Sequence, residues 1–232
     1  MNILALDTAD QVMSVALAAE TGVWYSEIDA GSRHSELLME CVENLFKTAG
    51  LKPGEMNLAA CMKGPGSFTG LRIGFSAAKG MALALGIPLI AVPTLDCLAH
   101  SLSVWPGLVL PALDAKKNCF FTALYRDGLR LTDYMDASPE IIAKEIERFK
   151  LNTEEQIILT GSGAEILRSL LASCMPMEYT KLNPCFRKGL AKELLEIARN
   201  IGVKENRNDI NSGPVYLRKS DAELKLNSTT LP

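Results

Sequence analysis

Positions 12–19 read as an alternating strand, and shorter apolar runs at 3–7 and 23–28 flank it, so three strands open the chain. Glu20-Thr21-Gly22 supplies a tight turn between the second and third. From 35 to 49 the period changes. Leu37, Leu38, Cys41, Val42, Leu45, Phe46 and Ala49 recur at helical spacing opposite Glu36, Glu40, Glu43 and Lys47. Gly50 closes that helix and Pro53 prevents its restart. A buried strand at 58–62 leads into a glycine loop at 64–70, a helix of small residues to Leu85, a strand at 88–92 and a helix at 94–103.

The second half restarts with strands, and a short internal repeat stands there. Ala16-Leu17 begins nine residues after Asp7 of Ala5-Leu6-Asp7, and Ala123-Leu124 follows Ala112-Leu113-Asp114 at the same interval. Gly22 and Gly128 mark nearly equivalent turns. An antiparallel meander used twice implies a duplicated β-β-β-α-β-α plan. Helices at 139–149, 164–172 and 188–201, with a strand at 156–160, continue that plan. A polar loop at 206–213, an extended stretch at 214–218 and a polar tail at 219–232 close the chain.

Composition narrows the function. Of 232 residues, 48% are hydrophobic and 22% charged, enough for a real core and against disorder. A net charge of −3 and 6% aromatics argue against gripping tRNA or DNA unaided. The uncharged stretches at 80–95 and 97–113 are each broken by two prolines, so no membrane span is expected. The start lacks a basic region and reads as a strand instead of a signal peptide. Six cysteines form no C-x-x-C pair and read as free thiols of a cytoplasmic protein.

Candidate chemistry is sparse. The glycine loop follows a strand and precedes a helix, so Gly66, Ser67 and Thr69 could contact an anion. A tight turn packing helix on sheet, and a partner surface, are the other readings. Its spacing fits neither G-x-G-x-x-G, which needs glycine where Thr69 stands, nor a Walker loop, which needs Lys at Leu71. Asp7-Thr8 and Asp114-Ala115 end the two first strands, where actin-like ATPases and sugar kinases cradle phosphates. Glycine after the acid is missing in both turns. Gly161 and Gly163 sit in a strand-to-helix loop that could take a ribose or be a simple turn. His34 and His100 make no metal site, because Leu38 stands where a second helical ligand would follow His34. Ser67 lacks the nucleophile elbow.

Four segments in order resemble the TsaB (YeaZ) family: Arg33-His34-Ser35-Glu36-Leu37-Leu38, the run 64–74 (GPGSFTGLRIG), Ala112-Leu113-Asp114-Ala115 and Pro214-Val215-Tyr216-Leu217-Arg218. The resemblance implies an α/β, duplicated actin-like (ASKHA, ribonuclease H-like) fold of two lobes, 1–103 and 104–218, with the tail 219–232 apart. It implies a non-catalytic subunit without cofactor or metal. Its partners would be the catalytic subunit TsaD and the ATPase TsaE, in forming N6-threonylcarbamoyladenosine beside the anticodon of tRNA. Alone, the chain could pair with itself, and tRNA would be met only through the complex. Lys116-Lys117-Asn118-Cys119-Phe120 departs from the family pattern, which bears on contacts of the second lobe. The competing readings are an ATP-dependent small-molecule kinase or ATPase, and a metallopeptidase.

The helix at 70–85 is apolar over most of its girth. Leu71, Phe75, Ala78 and Ala82 make one face. Gly70, Gly74, Ala77, Met81 and Ala84 make another, of which the first four are expected to meet a partner together with Leu37, Leu38, Cys41 and Leu45 of the preceding helix; the alternative is that this small-residue face packs on the chain's own sheet.

Overall fold

A computed structural model describes residues 1–185, 188–205 and 207–218. The tail expected at 219–232 lies outside the described residues. The opening meander forms β1 (Ile3–Asp7), β2 (Val12–Ala19) and β3 (Gly22–Asp29), with Ala19 and Gly22 closing a two-residue hairpin. α1 (His34–Ala49) stops at Gly50, which takes the left-handed conformation at φ +67°. β4 (Leu58–Gly64), α2 (Phe68–Leu85), β5 (Leu89–Pro93) and α3 (Thr94–His100) complete the first half.

The second half holds β6 (Leu108–Asp114), β7 (Phe120–Thr122), β8 (Tyr125–Arg126), β9 (Leu129–Arg130), β10 (Met135–Ala137) and α4 (Pro139–Phe149). It continues through β11 (Ile157–Thr160), α5 (Ala164–Leu171), β12 (Thr180–Leu182) and α6 (Ala191–Glu205). The stretch 214–218, expected to be extended, forms no strand.

The first sheet runs β3-β2-β1-β4-β5. The main path of the second runs β10-β7-β6-β11-β12, with β8 pairing β6 and β9 pairing β8. In both paths the first three strands are antiparallel and the last two join in parallel. Equal order and equal sense make this the duplicated actin-like α/β fold. The tripeptide repeat is nonetheless out of phase. Leu6 points into the core under α1 and α2, whereas Leu113 points into the core between the sheets. Ala5 pairs with Ala16, but Ala112 pairs with Thr122 and not with Ala123. A one-residue offset turns every side chain over. The duplication therefore lives in topology, not in that tripeptide.

α1 and α2 cover the outer face of the first sheet, and α4 and α5 cover that of the second. α3 and α6 lie between the sheets, where Leu95, Leu98, Leu194 and Ala198 pack with Ile3, Ala16, Val109 and Ile158. α6 returns from the second half to pack on β1, β2 and β5. Covered on both sides, β2 is buried at all its interior positions and does not alternate with solvent.

Candidate functional site

The glycines of the loop and α2 let the chain pass closely over the turn after β1. Gly66 lies so near that a Cβ there would sit 2.5 Å from the carbonyl oxygen of Ala9. A Cβ on Gly70 would overlap the carbonyl oxygen of Thr8, and one on Gly74 would overlap Thr8 Oγ1. Hydrogen bonds fix the approach: Ser67 N–H donates to Ala9 O at 2.7 Å, and Thr8 Oγ1 donates to Gly70 O at 2.7 Å. Ser67 Oγ caps α2 by accepting from Gly70 N–H. The close approach at Gly66, Gly70 and Gly74 is that of a tight turn packing the loop and α2 onto the turn after β1.

Asp7 is turned away from solvent. Its Oδ1 accepts from Ala9 N–H at 3.1 Å, and its Oδ2 accepts from Leu190 N–H at 2.8 Å and Ser14 Oγ at 3.3 Å. Ser14 Oγ in turn accepts from Ala191 N–H at 3.0 Å, and Glu27 Oε2 accepts from Gly189 N–H at 2.8 Å. Three first-sheet side chains thus satisfy the backbone donors at the entry to α6 that have no partner within the helix. Burial pushes the Asp7 carboxyl up to about 6, against the pull of its backbone donors. Ser14 and Glu27 were not singled out from the sequence. Ser14 was detectable as the lone polar residue in an apolar strand.

A cleft of about 630 Å³ opens between the sheets and brings together Asp7, Gly66, Ser67 and Gly161. Thr8 is buried behind it, and Thr69 is exposed on the first turn of α2. Gly163 serves close packing, since a Cβ there would lie 2.8 Å from Asp114 N; at Gly161 it would lie 2.5 Å from Ala112 O. Lys116 holds Asp114 at 2.8 Å and Lys188 holds Glu193, so both cleft cations carry partners of their own. Thr94 Oγ1 is buried there without a hydrogen-bond partner. Among the described residues no His, Cys, Asp and Glu group could hold a metal ion, and no helix is long and apolar enough to cross a membrane.

The expected partner surface divides. Leu38, Cys41 and Leu45 are buried in the chain's own outer core, though Cys41 and Leu45 also line a groove between β3 and α1, and Gly70 and Gly74 are buried beneath Thr8. Spacing put them on one face; the sheet and the β1–β2 turn already occupy it. Leu37, Ala77 and Met81 are half-buried at the margin of that core, as is Ile73. Leu83 is 64% exposed.

Three of the four sequence motifs supply residues of the cleft, His34, Gly66 with Ser67, and Leu113 with Asp114, and the fourth lines a neighbouring pocket that shares Gly66 and Lys116 with it. His34 Nε2 donates to Asp10 O at 2.7 Å. Val215 N–H donates to Lys63 O at 2.7 Å, behind the glycine loop. Tyr216 stacks on Phe68 at 4.8 Å and accepts from Arg72 Nε at 3.1 Å. Arg218 reaches the second sheet, donating both to the carboxylate of Asp136 at 2.6 Å and to Ala115 O at 2.5 Å.

Comparison with known proteins extends the motif evidence to the whole chain. The family model described as TsaD, tRNA N6-adenosine threonylcarbamoyltransferase, matches residues 26–226. The tRNA threonylcarbamoyladenosine biosynthesis protein TsaB of Bacillus subtilis (strain 168) is 28% identical over 228 residues, 97% of each chain. Its namesake in Escherichia coli (strain K12) is 33% identical over 156 residues, 64% of this chain and 67% of the other. The solved structure of YeaZ from Pseudomonas aeruginosa matches with a TM-score of 0.79 at 25% identity, covering 93% of this chain and 99% of that one.

Proposed function

We propose that this chain, which belongs to the TsaB (YeaZ) family, is an accessory subunit for forming N6-threonylcarbamoyladenosine on tRNA and is not itself the transferring enzyme. The observation that carries this reading is the position of Asp7. An acid at the end of the first strand would serve phosphate and metal chemistry in an active relative, yet here both its oxygens accept donors from the chain's own backbone. The glycine loop fills the space over the neighbouring turn. A net charge of −3 favours meeting tRNA only within a complex.

The partner in this reading is a TsaD-type catalytic subunit, joined by a TsaE-type ATPase, in the cytoplasm. It docks on the outer surface of the helix pair, where Leu37, Ile73, Ala77 and Met81 form a half-buried apolar margin beside exposed Leu83. Without that partner the same margin supports a homodimer. Residues 1–103 act as the docking lobe. Residues 104–218 form the second lobe, whose α6 and closing segment brace the first.

The test is reconstitution with a TsaD protein, a TsaE protein, tRNA, ATP and threonylcarbamoyl-adenylate. The chain alone gives no modified adenosine, and adding it to the others gives the product. Substantial ATP turnover by the isolated chain, lost in Asp7→Asn, would instead support a kinase or ATPase.

A further inference from the structure

β5 is an outer strand of the first sheet, and among the described residues β4 is the only strand that pairs with it. Ala59 N–H donates to Pro88 O, which sets the alternation of this parallel pair: Pro88, Ile90 and Val92 turn their backbone groups toward β4. The N–H and C=O groups of Leu89 and Ala91 therefore face outward.

Three residues just beyond α6 meet those four groups. Asn208 Oδ1 accepts from Leu89 N–H at 3.1 Å, and Asp209 N–H donates to Leu89 O at 2.7 Å. Asp209 Oδ2 accepts from Ala91 N–H at 2.9 Å, and Arg207 Nη2 donates to Ala91 O at 3.2 Å. Arg207 and Asp209 also hold each other at 2.9 Å. Only one of the four covering groups is backbone, so side chains stand in for a missing strand. Proteins blunt such an edge with charge, with proline or with a covering loop. Residues 88–93 carry no charge and have proline only at the two ends, so the cover falls to Arg207, Asn208 and Asp209.

We propose that these three residues are a detachable cover over a latent pairing edge, and that β5 of a second copy of this chain is the occupant once the cover is lost. An antiparallel two-fold pairing about Ile90 sets Leu89 of each copy opposite Ala91 of the other. That arrangement engages every outward group of both copies. Two uncharged strands meet without repulsion, and a two-fold contact closes at the dimer. The pairing runs through backbone groups of β5 and uses none of the side chains placed at the α2 margin, so it stands apart from docking of the catalytic partner.

The test compares the full chain carrying Arg207→Ala and Asp209→Ala with the unaltered chain, by residue-resolved amide exchange and sedimentation velocity across a dilution series. In the dilute variant the Leu89 and Ala91 amides exchange about tenfold faster than in the unaltered chain. In the concentrated variant they regain protection as a dimer sediments, and adding Met81→Asp leaves that dimer intact. Leu89 and Ala91 amides as slow as in the unaltered chain, a folded variant that stays monomeric at every concentration, or a dimer lost with Met81→Asp would each overturn the proposal. Should circular dichroism show the double variant unfolded, Asp209→Ala alone is read against the same outcomes.

Discussion

Asp7 Oδ2 accepts the backbone N–H of Leu190 at 2.8 Å, joining the end of the first strand to the entry of the last helix. Glu27 and Ser14 repeat the pattern on the backbone donors on either side, Gly189 and Ala191, so the first sheet carries the start of α6 on three side chains. Asp7→Ala leaves the N–H groups of Ala9 and Leu190 without acceptors in a buried site. Each orphaned donor costs about 1–3 kcal/mol. A fall in the urea midpoint is expected, with α6 amides exchanging faster. An unchanged midpoint would mean that another group takes over the cap.

The same acid gives a pH signature. Burial raises its carboxyl from 3.8 to about 6, so between those values the folded chain keeps a proton that the unfolded chain has lost. The stability this group contributes is complete below 3.8 and is lost as pH rises through 6. Asp7→Asn does not titrate. Unfolding free energy of the unaltered chain, minus that of Asp7→Asn, falls by on the order of 3 kcal/mol between acid and neutral pH. A flat difference contradicts the buried carboxyl.

Glycines in α2 separate packing from propensity. Gly74→Ala forces a Cβ onto Thr8 Oγ1 and costs about 1–3 kcal/mol. Gly80 has nothing within 4 Å of such a Cβ, so Gly80→Ala raises stability by about 0.5–1 kcal/mol. Thermal unfolding of the two variants moves in opposite directions. Equal shifts would mean that the turn at Thr8 yields.

This contrast also marks what could be read from residues alone. Helical spacing correctly grouped Phe75, Ala78 and Ala82, which share the outer core, whereas Leu71, on the same stripe, is buried in the core between the sheets. It also grouped Gly70 with Gly74, but periodicity does not say what a face meets, and Thr8 is sixty-two positions from Gly70. Leu38, Cys41 and Leu45, expected to meet a partner, pack in the chain's own outer core for the same reason: an apolar stripe looks alike against its own sheet and against a neighbour. β12 escaped because only Thr180 of its three residues is buried, leaving no pattern to detect. The acid at Asp7 was visible, whereas its acceptor role depends on a backbone donor 183 positions away.

Arg218 is the clasp of the closing segment. Both its bonds to Asp136 are charge-assisted, and a third reaches Ala115 O. Arg218→Ala should release residues 214–218 from the second sheet, seen as faster proteolysis after Arg72–Tyr216 contacts loosen, with a stability loss of about 1–3 kcal/mol. An unchanged cleavage rate would place the anchor of this segment at Val215 and Tyr216.

Size-exclusion chromatography of the chain mixed with a TsaD-type transferase tests the central claim most directly, using Met81→Asp as the altered margin. The two proteins co-elute as one complex, and Met81→Asp, still folded by circular dichroism, elutes apart from the transferase. Separate peaks with the unaltered chain, or a complex indifferent to Met81→Asp, would contradict an accessory subunit that docks through α2.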